Sequence, residues 1–231
     1  MSDTQSDKDH RHEPADRNVQ RAAALDTATL SDALDKLGIL GQCHKIKPRS
    51  SDFRMAGRAW TLKYGPAAKP CGTVGDYIDD VQPGSVIVLD NNGRDDCTVW
   101  GDILTEIAHR RGIAGTVIHG INRDTHLCLS LGYPLFSIDH WMRTGKDRVQ
   151  VEAVGVPVNM GGARVAPGDI LKGDTDGVVV IPREHEDAVL EVAESIEAAE
   201  NRIREAARSG MRLDQARQIH KYHQLQTRES S

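Results

Sequence analysis

The chain has 231 residues, of which 39% are hydrophobic and only 4% aromatic, and its formal net charge is -5 at pH 7. This acidic balance, with a pI near 6.0, excludes the basic stripe typical of nucleic-acid-binding proteins, and no apolar run approaches the roughly 20 residues that span a bilayer. The polar start is predicted to be neither a signal peptide nor a membrane anchor. The four cysteines are widely spaced, which fits reduced thiols. We therefore expect a cytoplasmic protein without nucleic-acid or membrane partners.

The two ends of the chain differ from its middle. Residues 1–17 are charged, polar and aperiodic, which predicts a disordered N-terminal tail, and residues 211–231 are predicted to be a loose or weakly helical C-terminal tail. No Pro/Ser-rich linker and no internal repeat interrupts the part between them. Residues 18–210 are therefore predicted to form a single domain.

The first predicted helix lies in the stretch DTATLSDALDKLG, residues 26–38. Its apolar residues recur at the spacing of one helical face, at Leu30, Ala33, Leu34 and Leu37. Thr29 is the predicted N-cap, and Gly38 is the predicted end of the helix. Short strands are predicted to follow near residues 55–63.

The next part of the chain alternates between strand and helix patterns. The segments are VIVLD (86–90), VWGDILTEIAHRRG (99–112), GTVIHG (115–120), DTHLCLSLG (124–132) and PLFSI (134–138). The apolar runs are typical of fully buried strands. The first helix of this part has a predicted buried face of Ile103, Leu104, Ile107 and Ala108, and Cys128 lies on the apolar face of the second. Strands and helices of these lengths predict a parallel α/β arrangement.

Beyond residue 148 the pattern changes to short β segments joined by Gly/Pro turns, which predicts a second β layer. The last predicted element is one long helix near residues 183–208, followed by Gly210. Its apolar stripe consists of Val189, Val192, Ala193, Ile196, Ile203 and Ala207. We expect the layers to bury this face of the helix.

Two polar loops follow neighbouring strands, LDNNGRDDC at 89–97 and HGINRDT at 119–125. Ligands of parallel α/β sheets bind outside the carboxyl ends of the strands. The helix between the loops begins with WGDIL, and the unpaired N–H groups of its first turn can hold a substrate carboxylate. Arg123 can bind the other substrate oxygens through its planar guanidinium. Asp102 and Asp124 supply hard oxygen ligands for a divalent cation, and Mg²⁺ would keep several waters there.

Each of these residues also has a purely structural interpretation. The Arg123–Asp124 pair fits a solvated ion pair, Asp124 fits a helix N-cap, and Asp102 fits a favourable charge in a first helical turn. The loop histidines, His119, His126 and His140, have a spacing that matches no standard zinc motif. Nothing local decides between these readings, but both loops leave the same edge of one predicted sheet.

Two blocks of the sequence resemble a known family. WGDIL, HRRGIAGTVIHGINRD and LGYPLFS, followed by GVPVNMGGARVAPGDILKGDTDGVVVIP, are similar to class II 4-hydroxy-4-methyl-2-oxoglutarate/4-carboxy-4-hydroxy-2-oxoadipate aldolases, a family that includes the regulator of ribonuclease activity A. The likeness covers roughly residues 20–210. It implies a layered α/β/β/α sandwich with a parallel βαβαβ core, a second β layer and a long C-terminal helix. It also implies homotrimers or homohexamers with active sites between subunits.

The resemblance implies roles for individual residues. Arg123 would bind the pyruvyl carboxylate and keto oxygen and stabilise an enolate, Asp124 would hold the metal, and Asp102 would orient a metal-bound water for proton transfer. A glutamate from a neighbour's C-terminal helix would join the metal site, with Glu200 as the candidate and Glu197 and Glu205 as alternatives. The substrate carboxylate would lie on the backbone amides of Gly101, Asp102, Ile103 and Leu104.

The chain departs from the family pattern in two places. The family commonly has Asp-Gly where this chain has His119-Gly120, and IDHWMRTGK replaces a segment that usually carries small residues and a proline. We therefore assign His119 to the substrate pocket. With His140 and Trp141, it is expected to reshape that pocket for a different substrate.

The implied function is a lyase that requires Mg²⁺ or Mn²⁺ and cleaves a 4-hydroxy-2-oxo acid into pyruvate and a second oxo compound, through an enolate that the metal stabilises. Oxaloacetate decarboxylation is an expected side activity, because it passes through the same enolate. One alternative is a non-catalytic regulator that binds a ribonuclease; such relatives typically lack a carboxylate at the position of Asp124 and are shorter at the C-terminus. The other is a lyase or decarboxylase with an altered substrate on the same scaffold.

Overall fold

The computed structural model describes residues 16–220. Within that range the helices are α1 (Arg17–Ala24), α2 (Thr27–Leu37), α3 (Asp102–Arg110), α4 (Thr125–Leu131), α5 (Glu186–Arg208) and α6 (Leu213–Ile219). The strands are β1 (Lys47–Pro48), β2 (Met55–Pro66), β3 (Val86–Thr98), β4 (Gly115–Asn122), β5 (Leu135–His140), β6 (Val149–Val154), β7 (Val158–Met160), β8 (Ala163–Val165), β9 (Ile170–Asp174) and β10 (Gly177–Ile181).

The main sheet has the strand order β1-β5-β4-β3-β2-β9-β10, with β6 also paired to β2. The pairs β2–β3, β3–β4 and β4–β5 are parallel, so β3, α3, β4, α4 and β5 form the predicted parallel core. The pairs β2–β6, β2–β9 and β9–β10 are antiparallel, and β7 and β8 form a second, small sheet. The predicted α/β fold class, with a second β layer and a long C-terminal helix, is confirmed.

A second hydrophobic core lies between the long helix and the sheet. Buried side chains of α1, α2 and α5 pack there against Ile170, Val179 and Ile181 of β9 and β10. The buried face of α5 consists of Val189, Leu190, Ala193, Ile196, Ala199 and Ile203. The predicted stripe was wrong at Ala207, which is exposed, because the core that α5 shares with the sheet ends at Ile196.

The ends of α2 explain one further difference. Gly38 ends the helix in the left-handed conformation, at φ 71°, as predicted. The N-cap is Asp26 rather than Thr29, because the Asp26 carboxylate accepts the Thr29 N–H at 2.7 Å. Thr29 is a buried residue of the first turn.

Two local predictions in the parallel core were wrong. Residues 89–97 are not a free loop, because β3 continues to Thr98 and register shifts on both sides of Arg94 let its extra residues bulge from the ladder with β4. Ile103 is 72% exposed instead of buried. The buried residues of helix α3 are Thr105 and Ala108. The spacing of apolar residues alone does not predict that Thr105 is buried.

The predicted tails are only partly described. Residues 1–15 and 221–231 lie outside the described range, so the prediction of disorder there stays a prediction. Arg17 begins α1, whose first amides bond to the carboxylate of Asp16, and α6 lies inside the segment assigned to the C-terminal tail. Among residues 16–220, no helix combines the length and apolar character needed to cross a membrane.

Candidate functional site

A cleft of about 560 Å³ lies at the carboxyl ends of β3 and β4, beside the start of α3. Its lining combines apolar and charged side chains. The lining residues are Val74, Gly75, Asp76, Ile78, Asp79, Thr98, Val99, Trp100, Gly101, Asp102, Ile103, Leu104, Ile107, Arg123, Thr144 and Lys146. Its volume and mixed lining are typical of a small-molecule site.

The turn after β4 holds Asp124 in an unusual backbone conformation. Asp124 has φ 54° and ψ 38°, in the left-handed region that residues other than glycine seldom occupy. It occupies the N-cap position of α4, yet its side chain makes no capping hydrogen bond. Its Oδ2 atom instead lies 3.2 Å from Arg123 Nε and accepts the N–H of Asp102 at 3.3 Å. The carboxylate therefore faces α3 rather than its own helix.

Gly101 makes the close approach of α3 and this turn possible. A Cβ atom at residue 101 would lie 2.9 Å from Asp124 Oδ2 and 3.2 Å from Arg123 Nε, which any larger residue would have to displace. The backbone of Arg123 is fixed by its N–H bond to the carbonyl of Trp100 at 3.0 Å. The W-G-D sequence thus places Asp102 directly against the Arg123–Asp124 pair.

The start of α3 is held from beneath by two residues that sequence reasoning missed. Trp100 Nε1 donates to Thr105 Oγ1 at 2.8 Å, and that hydroxyl donates to the Gly101 carbonyl at 2.9 Å. Trp100 also stacks on Tyr133, with ring centroids 6.2 Å apart. No sequence motif signals this arrangement, because it depends on an indole and a hydroxyl that meet only once the helix forms.

The predicted site residues divide into two groups. Arg123 and the residues of the α3 start, Gly101, Asp102, Ile103 and Leu104, line the cleft, and Asp124 contacts them from behind. His119 and Glu200 are not among the lining residues. Glu200 lies on α5 with its Oε2 atom 2.6 Å from Arg204 Nη2, and among the described residues it forms no metal-binding group with Asp102 and Asp124.

His119 belongs to a separate polar cluster on β3 and β4. Its Nδ1 lies 3.2 Å from Asp90 Oδ1, and the other Asp90 oxygen accepts the Asn159 N–H at 3.1 Å. Burial raises the pKa of the Asp90 carboxyl, but the bonds from His119 and from the amides of Asn92 and Asn159 outweigh burial and keep it below its ordinary value. His119 thus has a structural partner.

The residues expected to reshape the pocket lie beside another depression. His140 and Trp141 line it together with Asp95, Asp96, Ile121 and Asp139. From the same divergent segment, however, Thr144 and Lys146 do reach the Arg123 cleft. Sequence reasoning missed these two residues and the 74–79 segment opposite them, and the Gly-rich GTVGD run was the available signal.

The acidic groups at the cleft suit a hard divalent cation. Asp102 and Asp124 are adjacent, since the amide of one bonds to the carboxylate of the other. Between residues 16 and 220, no three His, Cys, Asp or Glu side chains cluster as a complete metal cage. A pair of carboxylates matches the way Mg²⁺ binds, with waters and substrate completing its shell.

A family model and several named relatives match most of the chain. Residues 27–180 match the RraA-like family model, described as Aldolase/RraA. Protein DlpA of Legionella pneumophila is 42% identical over 210 residues, which are 89% of this chain but only 34% of DlpA, so this chain spans about a third of that relative. A protein of Halalkalibacterium halodurans named "Putative 4-hydroxy-4-methyl-2-oxoglutarate aldolase" is 34% identical over 82% of this chain and 87% of its own length.

Solved structures share the fold. An uncharacterized protein from Pseudomonas syringae pv. tomato superimposes with a TM-score of 0.82 at 43% identity, covering 89% of this chain and all of that one. RraAS2 of Streptomyces coelicolor, titled an unusual member of the RNase ES inhibitor RraA protein family, has a TM-score of 0.75 at 27% identity, covering 82% of this chain and 96% of that one.

Proposed function

Because the chain belongs to the RraA-like family, described as Aldolase/RraA, we propose that it is a carbon–carbon lyase of the class II aldolase type. Its substrate is a 4-hydroxy-2-oxo acid, which it cleaves to pyruvate and a second oxo compound. Oxaloacetate decarboxylation is the side activity that the same residues would support. The physiological substrate is a member of this class that fits a cleft with both apolar and charged lining residues.

The observation that carries the proposal is the conformation of Asp124. Its backbone is left-handed, and its carboxylate makes no capping bond to α4. Residues kept in sparsely populated backbone regions cluster at functional sites. Asp124 contacts two residues that line the cleft, Arg123 and Asp102, so the simplest use of its carboxylate is chemistry.

Asp124 and Asp102 are the groups that would hold a divalent cation, with Glu200 of a neighbouring subunit as a third contributor. When bound, the cation would supply Lewis acidity toward the 2-oxo group. The two carboxylates of this chain are too few to enclose a cation and leave room for water and substrate, as an open catalytic site requires.

The substrate would be oriented by the cationic and N–H donors of the cleft. The Arg123 guanidinium presents a planar fork to the carboxylate and 2-oxo oxygens. The start of α3 would meet the carboxylate through the amides of Gly101 and Leu104, because the Asp102 N–H already bonds to Asp124 and the Ile103 N–H to Asp102. Asp102 lies in the first turn of α3, where its Oδ1 accepts the Ile103 N–H at 2.8 Å and the other oxygen stays free to hold a water.

The chemical step breaks the C3–C4 bond and shifts one proton. The C4 hydroxyl proton passes through a water to the Asp102 carboxylate that holds it, and the electron pair of the O–H bond forms the carbonyl of the leaving oxo compound. The electron pair of the C3–C4 bond passes into the pyruvate enolate, whose oxygen Arg123 stabilises. Return of the proton to C3 gives pyruvate.

The proposal includes a homotrimer or homohexamer, because the family resemblance assigns a glutamate of a neighbour's C-terminal helix to the site, and among the described residues of one chain Glu200 forms no metal-binding group with Asp102 and Asp124. Mixed oligomers of inactive Asp124→Ala and Glu200→Ala chains should regain partial activity at interfaces that pair two intact contributions. An active monomer in light scattering would contradict the shared site. If mixed oligomers form but stay inactive, Glu200 has no part in it.

The test of the proposed function is pyruvate release from a panel of 4-hydroxy-2-oxo acids and oxaloacetate, with Mg²⁺ or Mn²⁺ and after exhaustive EDTA treatment. Turnover that needs the metal and disappears in Asp124→Asn supports the lyase. Full activity after EDTA removes the metal from the proposal.

The RraA title of one structural neighbour supplies the competing function, a non-catalytic protein that binds a ribonuclease. No pyruvate from any member of the panel, together with inhibition of a ribonuclease of the RNase E class by the purified protein, would replace the lyase with this alternative.

A further inference from the structure

Asn122, the last residue of β4, has a fully buried side chain that spans the Arg123–Asp124 turn. Its Nδ2 group donates to the Arg123 carbonyl at 3.3 Å and to Thr125 Oγ1 at 3.0 Å. These two acceptors lie on either side of Asp124, the residue with the left-handed backbone. One amide therefore ties together both ends of the strained turn.

The orientation of this amide follows from its surroundings. The Arg123 carbonyl can only accept a hydrogen bond, so the group that faces it must be NH₂ and not the amide oxygen. The amide oxygen then faces Ser137, whose buried hydroxyl lies 2.8 Å away and donates to it. Ser137 on β5 thus fixes how Asn122 points, and the neighbouring strand sets the geometry of the turn.

We propose that Asn122 is a positioning residue for Arg123 and Asp124. Asp124 makes no capping bond of its own, and the hydrogen bonds that hold both sides of its left-handed backbone come from the Asn122 amide, to the Arg123 carbonyl and the Thr125 hydroxyl. The Asp124 carboxylate is left to face Asp102. This inference rests on the proposed function for its catalytic consequence, but its structural content stands apart from it.

Asn122→Asp tests the inference, because it keeps the shape of the side chain and replaces the donor group by an oxygen. That oxygen repels the Arg123 carbonyl, so the turn should relax and the contact between the Asp102 amide and Asp124 should open. We expect kcat/KM for pyruvate release to fall about 10- to 100-fold, the usual loss when a supporting hydrogen bond behind a site residue is removed.

Thr125 provides a milder pair of variants that should fold whether or not Asn122→Asp does. Thr125→Ala removes one acceptor of the amide and should lower kcat/KM, whereas Thr125→Ser keeps the hydroxyl and should restore the wild-type value. A purely structural role of the threonine methyl group would give the same loss in both variants and would overturn the inference.

Asn91→Asp is the matched control for a buried carboxylate. Asn91 is 1% exposed on the adjacent strand β3, and its Nδ2 group bonds to the Cys97 carbonyl and not to the turn. We expect this variant to keep its kcat/KM. An equal loss of activity in both aspartate variants would mean that buried charge alone is responsible, and the inference would fail.

Crystal structures of the wild type and the variants separate this inference from the proposed function. In Asn122→Asp, or in Thr125→Ala if the former does not fold, Asp124 should leave the left-handed region. An unchanged turn overturns the inference, whatever the activity. If the wild type releases no pyruvate from any substrate, the proposed function fails and the structural comparison alone decides the role of Asn122.

Discussion

Two aspartates of this chain, Asp174 and Asp124, lie next to the first turn of a helix and do opposite things. Asp174 accepts the Thr27 N–H at 2.8 Å, the Thr27 hydroxyl at 2.6 Å and the Asp176 N–H at 3.0 Å. It is 5% exposed and joins the β9–β10 hairpin to the start of α2. Asp124 is 32% exposed at its side chain and accepts one long backbone bond from another helix.

Structural and functional carboxylates can be separated by how many of their hydrogen bonds are already made within the fold. Asp174 has its hydrogen-bonding capacity filled by groups from two elements, and Lys172 beside it bonds to the Ala23 carbonyl at the end of α1 at 2.8 Å. Such a cluster secures helix docking and has nothing left to offer a ligand. Asp124 contributes little to its own helix and keeps lone pairs open at a cleft.

The largest expected loss of activity is that of Asp124→Asn. Asparagine keeps the side-chain shape and tolerates the left-handed backbone. Loss of the charge should lower kcat/KM about 100- to 1,000-fold, the scale of removing one preorganised group. Because no capping bond is lost, Tm should shift by less than about 2 °C. Calorimetry beside the pyruvate assay checks this, and normal activity with a lowered Tm would reverse the comparison.

Arg123→Lys should be nearly as damaging as Arg123→Ala, at about 100-fold in kcat/KM. Lysine keeps the positive charge but loses the planar fork that bonds Asp124 through Nε and faces the cleft. Steady-state kinetics of both variants decide the point. A lysine variant with most of the wild-type kcat/KM would mean that charge alone suffices.

Asp174→Ala should act on stability rather than on turnover. It leaves the buried Thr27 amide and hydroxyl without their acceptor, so we expect the free energy of unfolding to fall by about 2–4 kcal/mol. That loss corresponds to a Tm lowered by about 4–16 °C. Urea unfolding and Tm measure it, and kcat/KM at a temperature where the variant is folded should match the wild type. Lost activity in a folded variant would make Asp174 more than a structural residue.

The smallest effect concerns acid stability. Burial raises the pKa of Asp174, but its bonds to Thr27 and Asp176 and the charge of Lys172 outweigh burial and lower the pKa below its ordinary value near 3.8. A lowered folded-state pKa means that the stabilisation is present above the unfolded-state pKa and is lost as the pH falls through the folded-state pKa. Below about pH 4, the wild type should therefore lose stability more steeply than Asp174→Asn. The free energy of unfolding, measured by urea unfolding at pH 2–6, should be compared between the two proteins. If it falls with pH equally in both, Asp174 makes no such contribution.

Sequence reasoning reached most of the architecture. The alternation of buried runs with helical spacing predicted the parallel core from β3 to β5, and the apolar stripe predicted the docked face of α5. Two predictions failed because they depend on contacts with other elements. Strand β3 continues through the predicted loop, and Thr105 replaces Ile103 on the buried face of α3. Both errors arise because periodicity describes one element, whereas pairing and packing involve two.

Motifs in the sequence predicted the family, and local spacing predicted the order of the core elements and two of the regions that line the cleft, because such spacing encodes helices and strands and the carboxyl ends of parallel strands share an edge. What each polar residue does there depends on the tertiary structure. The sheet register sends His119 to Asp90 and Asn122 across the turn, and the close approach at Gly101 turns Asp124 away from its own helix. Those contacts join residues distant in the chain, so they depend on strand pairing and packing rather than on local spacing.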